Sequence, residues 1–179
     1  VSTGGPNALH KVITELSEGL KVPILAVQHM PPVFTASLAE RLNRDSKISV
    51  VEGQENDEVK PGVMYIAPGG RHMIVRNGVN RKPSIGIIDT PPVNSCKPAV
   101  DVLFRSIGMV YGGNVLTVIM TGMGGDGLDG VQSIKRKGGY SIVQDKQTSV
   151  VWGMPGAVAE ANVADEILPL DKLAGRIMD

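Results

Sequence analysis

The spacing of apolar positions changes repeatedly along this chain, as it does where helices and strands alternate. Apolar residues recur at helical spacing over 9–16 and again over 34–42. The short apolar runs 23–27 and 48–51 are typical of strands that are buried in a sheet. The first part of the chain is therefore predicted to alternate between helix and strand.

The stretch 60–93 has a different character. Pairs of glycine, proline and asparagine residues punctuate three short β-like runs in it, at 63–67, 73–76 and 85–88. Among these pairs, Asn77-Gly78 is typical of a hairpin turn. We expect this stretch to be a small antiparallel β excursion from the main sheet.

Regular alternation resumes after residue 93. Further helices are predicted over 100–107, 131–137, 155–161 and 173–178, and further strands over 115–120 and 140–144. Such alternation along the whole chain predicts an α/β fold, with a mainly parallel sheet and helices on both faces. A chain of 179 residues is also the usual size of a single domain.

Composition excludes several classes of protein. The 18 basic and 18 acidic residues cancel, and only 3% of residues are aromatic, which argues against a nucleic-acid-binding protein. No apolar run approaches the roughly 20 residues of a membrane span. Cys96 is the only cysteine, which suits a reducing cytoplasm. Since His10 is expected on a helix surface and His72 in a structural role, no metal site is predicted.

Three residues with catalytic chemistry are predicted to meet at one edge of the sheet. His29 follows the strand at 23–27, and Asp126 follows the strand at 115–120. Ser2 precedes two glycines and a helix, which indicates a sharp turn at a helix N-terminus. Ligands of open α/β sheets bind beyond the carboxyl ends of the strands. The three residues therefore supply a candidate nucleophile, base and orienting carboxylate.

Two of these segments also fit other interpretations. Ser2 or Thr3 fits the N-cap of the first helix. The segment 122–127 matches G-x-G-x-x-G, and Asp145 ends the next apolar run, as in a dinucleotide-binding oxidoreductase. Against that second interpretation, Asp126 would place a negative charge beside the pyrophosphate.

Taken together, the segments resemble the catalytic motifs of the bacterial chemotaxis protein-glutamate methylesterases. The three segments on which the resemblance rests are Ser2-Thr3-Gly4-Gly5, Gln28-His29-Met30-Pro31-Pro32 and Thr121-Gly122-Met123-Gly124-Gly125-Asp126-Gly127. Other matching segments are Tyr65–Gly69, Pro91–Asn94, Pro98–Phe104 and Gly153–Pro155. The resemblance covers nearly the whole chain, in order.

The resemblance implies a doubly wound fold and a serine hydrolase with the catalytic triad Ser2, His29 and Asp126. Its implied substrates are glutamate methyl esters on chemoreceptors, which yield methanol, together with receptor glutamines that are deamidated. Backbone N–H groups at Thr3 and Met123 are candidates for stabilising the oxyanion, and Thr3 is also a candidate for positioning His29. No metal or organic cofactor is expected.

The resemblance also implies how the chain is organised and what it binds. Residues 1–179 are expected to be the methylesterase catalytic domain, without the receiver domain, the linker and most of the strand before Ser2. The expected partners are the cytoplasmic helices of methylated chemoreceptors and, in the full-length protein, its own receiver domain. The protein is expected to be a cytoplasmic monomer that neither binds nucleic acid nor inserts into a membrane. A receptor-binding module of the same fold without catalytic activity is the third interpretation.

Overall fold

Parallel strands and flanking helices form most of the molecule. The computed structural model describes residues 1–78 and 81–179. The strands within them are β1 (Ile24–Ala26), β2 (Ser49–Glu52), β3 (Val63–Ile66), β4 (His72–Asn77), β5 (Pro83–Ile88), β6 (Leu116–Ile119), β7 (Tyr140–Gln144) and β8 (Glu166–Leu168). The helices are α1 (Gly5–Glu15), α2 (Phe34–Asp45), α3 (Val100–Tyr111), α4 (Leu128–Lys135), α5 (Met154–Glu160) and α6 (Leu170–Met178).

The strands form two parallel groups and one antiparallel pair. The parallel groups have the orders β1-β3-β2 and β6-β7-β8, and β4 pairs with β5 in the antiparallel direction. Helix α1 packs against α2 and α6 over one apolar core, and α4 packs against α3 and α5 over the other. The predicted α/β class, with helices on both faces of a mainly parallel sheet, is confirmed.

A strand that is covered on both faces has a continuous apolar run. Successive side chains of a strand point to opposite faces of the sheet. Ile142 and Val143 are neighbours in β7, and both are fully buried. Both faces of β7 are therefore covered, as the unbroken apolar run predicts.

The excursion over 60–93 is only partly antiparallel. Met64 of β3 lies opposite Ile24 of β1 and Val50 of β2, both in parallel ladders, so the assignment of 63–67 to the antiparallel excursion is wrong. A short apolar run carries no information about the direction of its neighbours, which the path of the chain decides. The hairpin at Asn77 is confirmed, with Asn77 opposite Pro83. Its connection is longer than a two-residue turn, and residues 79 and 80 lie outside the described ranges.

Several helix boundaries and one strand also differ from the sequence prediction. Helix α4 begins at Leu128 and α6 at Leu170, each earlier than predicted, and β8 has no counterpart among the predicted strands. Glu166 begins β8 and Ile167 at its centre is 52% exposed, so this edge strand lacks the apolar run that marks a buried one.

The first two residues lie between the carboxyl ends of β1 and β6. The Val1 nitrogen donates to the Val27 carbonyl at 3.0 Å, and the His29 N–H donates to the Val1 carbonyl at 3.0 Å. On the other side, the Ser2 N–H donates to the Thr121 carbonyl at 2.9 Å. Val1 and Ser2 therefore connect the two parallel groups at the edge where catalytic residues are predicted.

Further along the same strands the arrangement is different. Within the described residues, no ladder pairs β1 with β6. An apolar cavity of about 360 Å³ lies there instead, with Ile24 and Ala26 on one side and Val118 and Met120 on the other. None of the helices in the described ranges is long and apolar enough to cross a membrane.

Candidate active site

Ser2 lies in the turn that leads into α1. Gly4 has a φ of 80°, a left-handed conformation that glycine adopts without strain. The Gly5 N–H, at the start of α1, donates to the Ser2 carbonyl at 2.8 Å. This turn places Ser2 at a helix N-terminus, where unpaired N–H groups and the positive end of the helix dipole favour a developing negative charge.

Two buried polar side chains hold this turn in place. Gln28, which is 1% exposed, donates from Nε2 to the Ser2 carbonyl at 3.0 Å. The hydroxyl of Thr121, also 1% exposed, donates to the Thr3 carbonyl at 2.9 Å. The sequence predicts no role for either residue beyond membership of a motif. The available signal was a polar residue directly after each buried strand.

His29 and Asp126 form a hydrogen-bonded pair. The distance between His29 Nε2 and Asp126 Oδ2 is 2.7 Å, and the side chains are 13% and 2% exposed. Because an ionised carboxylate can only accept a hydrogen bond, Nε2 carries the proton of the neutral imidazole. Nδ1 of His29 therefore keeps its lone pair and is the nitrogen that can act as a base.

The Asp126 carboxylate accepts three further hydrogen bonds. The Val100 N–H donates to Oδ2 at 2.7 Å, and the Asp101 N–H and Asn94 Nδ2 donate to Oδ1 at 3.1 and 2.9 Å. The two backbone donors belong to the first turn of α3. Burial alone would raise the pKa of Asp126, but the hydrogen bonds from His29 and these groups outweigh it and hold the pKa below its usual value. Asp126 is consequently ionised at neutral pH.

A second buried carboxylate adjoins this pair. Asn94 Nδ2 also donates to Asp101 Oδ2 at 2.7 Å, and the Gly130 N–H donates to Asp101 Oδ1 at 2.7 Å. Burial raises the pKa of Asp101, in contrast to Asp126. Asp101 thereby orients the amide that binds Asp126, a role that the sequence did not predict.

A tight turn brings Asn94 and Cys96 to the His29–Asp126 pair. Val93 and Cys96 exchange backbone hydrogen bonds of 3.0 and 2.9 Å, and the intervening Asn94 and Ser95 have φ values of 53° and 60°. Two central residues with positive φ are typical of a type I′ turn, in which asparagine is favoured. The turn places Cys96 Sγ 3.6 Å from His29 Nδ1.

The segment after β6 passes directly against Ser2. A Cβ on Gly122 would lie only 2.8 Å from Ser2 Cβ and 2.5 Å from Met154 Sδ, so only glycine fits there. In the described part of the chain, no protein group accepts the N–H of Thr3 or Met123. Unpaired N–H groups beside a nucleophile are the donors that an oxyanion hole requires.

Two members of the predicted triad are joined directly, and the third is adjacent. Ser2 follows Val1, whose carbonyl accepts the His29 N–H at 3.0 Å. Among the described residues, no hydrogen bond links Ser2 Oγ to the imidazole, and none links the exposed Thr3 side chain to it. A loose contact between nucleophile and base is common before substrate binds.

The other two histidines of the chain, His10 and His72, make structural contacts outside the His29–Asp126 pair. His10 is 41% exposed and bonds to Asp45 at 3.1 Å. His72 is fully buried, accepts the Ala99 N–H at 3.1 Å and bonds to the Pro91 carbonyl. Both placements were predicted and are confirmed.

The Asp145 carboxylate, which the dinucleotide interpretation requires, already accepts hydrogen bonds within the protein. Asp145 Oδ1 accepts from the backbone N–H and the hydroxyl of Thr148 at 3.0 and 2.6 Å, which closes a local turn. Asp126 is buried against His29. The glycine-rich segment therefore carries the carboxylate that binds His29. The geometry does not support its match to a nucleotide fingerprint.

Comparison with known proteins agrees with this geometry. The family model described as CheB methylesterase matches residues 1–177. The chain belongs to the CheB methylesterase family. Its fold matches the crystal structure of the Thermotoga maritima CheB methylesterase catalytic domain with a TM-score of 0.96 and 41% identity, over 99% of this chain and 93% of that one.

Curated relatives within the family are longer proteins. A protein-glutamate methylesterase/protein-glutamine glutaminase of Trichodesmium erythraeum (strain IMS101) is 55% identical over 179 residues, which is 99% of this chain and 50% of the relative. A protein of the same name from Desulfotalea psychrophila (strain LSv54 / DSM 12343) is 49% identical over 181 residues, 99% of this chain and 49% of the relative. The chain thus spans about half the length of these relatives.

Proposed function

We propose that this chain hydrolyses glutamate methyl esters on chemoreceptors, with release of methanol, and deamidates receptor glutamines. The observation that carries the proposal is the buried His29–Asp126 pair, with a 2.7 Å hydrogen bond, beside a serine at a helix N-terminus. The methylesterase/glutaminase names of the relatives support the choice of substrate.

In the proposed mechanism, Ser2 is the nucleophile and His29 Nδ1 is the base. Nδ1 takes the proton of Ser2 Oγ as the oxygen attacks the ester carbonyl, and Asp126 stabilises the imidazolium through Nε2. Nδ1–H then gives its proton to the methoxide oxygen as the C–O bond breaks, which releases methanol, or to the amide nitrogen of a glutamine, which leaves as ammonia. Nδ1 next deprotonates a water molecule, whose oxygen attacks the glutamyl-serine ester. The same proton passes to Ser2 Oγ as the ester bond breaks, which releases glutamate and regenerates Ser2.

The N–H groups of Thr3 and Met123 are the proposed oxyanion donors. Each such donor contributes about 3 kcal/mol to transition-state stabilisation in hydrolases of this kind. Their proposed role rests on two observations: both N–H groups lack a protein acceptor among the described residues, and the Gly122 backbone lies against Ser2.

Cys96 is the other nucleophilic side chain near His29, and it does not suit the reaction. The nucleophile of a cysteine enzyme is the thiolate, which requires a lowered pKa. Burial, followed by the nearby charge of Asp126, raises the pKa of Cys96 above its usual value. The thiol therefore stays protonated at neutral pH, and the proposal assigns the nucleophile to Ser2.

We further propose that residues 1–179 are the catalytic domain of a longer cytoplasmic protein that carries a receiver domain. The doubled length of the relatives supports a larger protein. The methylated receptor helices and the receiver domain are the proposed partners, and the domain by itself is proposed to be monomeric. Size-exclusion chromatography would contradict the last statement if it gave a dimer at micromolar concentration.

Methanol release from a methylated receptor fragment tests the function. Replacing the nucleophile in Ser2→Ala should lower kcat by a factor on the order of 10⁴ to 10⁶ while leaving the fold intact. The matched control is Ser17→Ala, because Ser17 is exposed and its hydroxyl contacts Met178 at the end of α6 rather than the His29–Asp126 pair. Full activity of Ser2→Ala would contradict the assigned nucleophile. A wild-type chain that binds the receptor without releasing methanol would instead indicate a binding module.

A further inference from the structure

The side chains around His29 Nδ1 have the chemistry of a transition-metal site. His29, Cys96 and Asp126 each offer a ligand atom, and these atoms lie within 4.8 Å of one another. Imidazole nitrogen and thiolate sulfur are the ligands that Zn²⁺ prefers. No metal is predicted from the sequence, because Cys96 reaches His29 only through the turn at Asn94 and Ser95.

The spacing of two of these atoms matches tetrahedral zinc. With Zn–S of about 2.3 Å and Zn–N of about 2.0–2.1 Å, tetrahedral coordination separates sulfur and nitrogen by about 3.6 Å. The distance between Cys96 Sγ and His29 Nδ1 is 3.6 Å. The thiol of Cys96 donates a hydrogen bond to Nδ1 over this distance, and a zinc ion that replaces the thiol proton fits the same separation of the two atoms.

Asp126 fits the site as the partner of the histidine ligand. Its Oδ2 accepts from His29 Nε2 at 2.7 Å, and its Oδ1 is occupied by Asn94 and the Asp101 N–H. A metal-binding histidine commonly donates its other ring N–H to a carboxylate, which fixes the ring and makes the ligating nitrogen more basic. The same hydrogen bond that prepares Nδ1 as a base thus prepares it as a ligand.

We propose that His29 Nδ1 and Cys96 Sγ form a reversible inhibitory binding site for Zn²⁺. Binding forms one Zn–N and one Zn–S bond, and the thiol proton of Cys96 is released to solvent. Two coordination positions remain for water, which makes the site weaker than a structural zinc site with four protein ligands. An ion on Nδ1 occupies the lone pair that must accept the Ser2 proton, so hydrolysis stops while the ion is bound.

Direct metal binding tests the site without reference to activity. Titration with Zn²⁺ against a chromogenic chelator should give one site per chain, and Co²⁺ should give a tetrahedral spectrum with a thiolate charge-transfer band. Cys96→Ser should abolish the band and weaken Zn²⁺ binding about 10- to 100-fold. Cys96→Ala should behave in the same way, and circular dichroism checks that both variants are folded. His10→Ala is the matched control, since its exposed imidazole lies outside the site, and it should bind like the wild type.

Inhibition of methanol release is the second measurement, and it rests on the proposed function. Each variant is compared with its own rate in the presence of a chelator, and Cys96→Ser should need at least tenfold more Zn²⁺ for half-inhibition than the wild type. Equal Zn²⁺ affinity in the wild type and both Cys96 variants, or a Co²⁺ complex without the thiolate band, would overturn the site. Cys96-dependent binding by a chain that releases no methanol would instead uphold the site and contradict the esterase.

Discussion

The carboxyl ends of β1 and β6 and the bodies of the same two strands are held in different ways. At the ends, Val1 and Ser2 bond to both strands, and buried Gln28 and Thr121 add side-chain hydrogen bonds. Along the bodies, an apolar cavity of about 360 Å³ separates the strands. We call the region at the strand ends the rim and the apolar cavity between the strand bodies the groove.

This contrast indicates that the side chains at the rim are held in more closely defined positions than those that line the groove. Directional hydrogen bonds define the relative positions of Ser2, His29 and Asp126, whereas the apolar side chains that line the groove interact without a preferred direction. Changes at the rim should therefore affect the reaction rate most, and changes in the groove should affect stability most. Two substitutions at the rim and one extension into the groove test that division.

The largest effect is expected from Asp126→Asn at the rim. The amide cannot accept from His29 Nε2 as a charged carboxylate does, so the imidazole loses its tautomer and its stabilising charge. We expect kcat for methanol release to fall by about 10⁴-fold. Asp129→Asn is the matched control, because Asp129 is 66% exposed and lies in the first turn of α4. Comparable rates for the two variants would contradict the role of Asp126.

A smaller loss of activity is expected from Gly122→Ala. The added Cβ would lie 2.8 Å from Ser2 Cβ and must displace the nucleophile or the segment that carries Met123. A misplacement of about 1 Å costs on the order of 10²-fold in rate. Gly175→Ala in α6 is the control, since its Cβ meets nothing within 4 Å. If the Gly122 variant keeps its rate, contact between the two segments does not position Ser2.

The smallest effect on rate is expected from filling the groove. Val1 pairs with the end of β1 in a parallel register, so residues added before Val1 continue between β1 and β6. Five apolar β-branched residues added there should stabilise the fold by about 2 kcal/mol, which raises Tm by roughly 4–8 °C. A glycine-serine extension of equal length is the control.

Calorimetry measures the Tm of both extended chains, and methanol release is compared at low temperature. A rise in Tm with the apolar extension alone, with much less change in rate than either rim substitution causes, supports the division between rim and groove. Equal Tm values for the two extensions would show that the groove does not accept a strand.

Local patterns predicted much of this fold correctly. The apolar spacing over 9–16 and 34–42 corresponds to α1 and α2, and the run at 140–144 corresponds to β7. Each of these patterns reports which side of one element is buried, and that information lies within a few consecutive residues. The direction of β3 was predicted wrongly, because pairing with β1 and β2 depends on the path of the chain between them.

The residues of the candidate site were likewise predicted only in part. Ser2, His29 and Asp126 were selected from the sequence because each is expected beyond the carboxyl end of a strand or before a helix, and a sheet gathers such positions at one edge. Their catalytic roles stay predictions. Asn94 and Asp101 were not selected, since no local pattern distinguishes an amide that binds a distant carboxylate from one on an ordinary surface turn.

The sequence by itself determined the order of helices and strands apart from β8, the family resemblance, and the residues able to act as nucleophile, base and carboxylate. Only the tertiary structure decided which imidazole nitrogen faces Asp126, which donors surround Asp126, and that Cys96 lies 3.6 Å from His29 Nδ1. The physical reason is the separation along the chain of the residues that interact. Apolar periodicity arises within one element, whereas these hydrogen bonds join residues that are distant in sequence and meet only once the chain has folded.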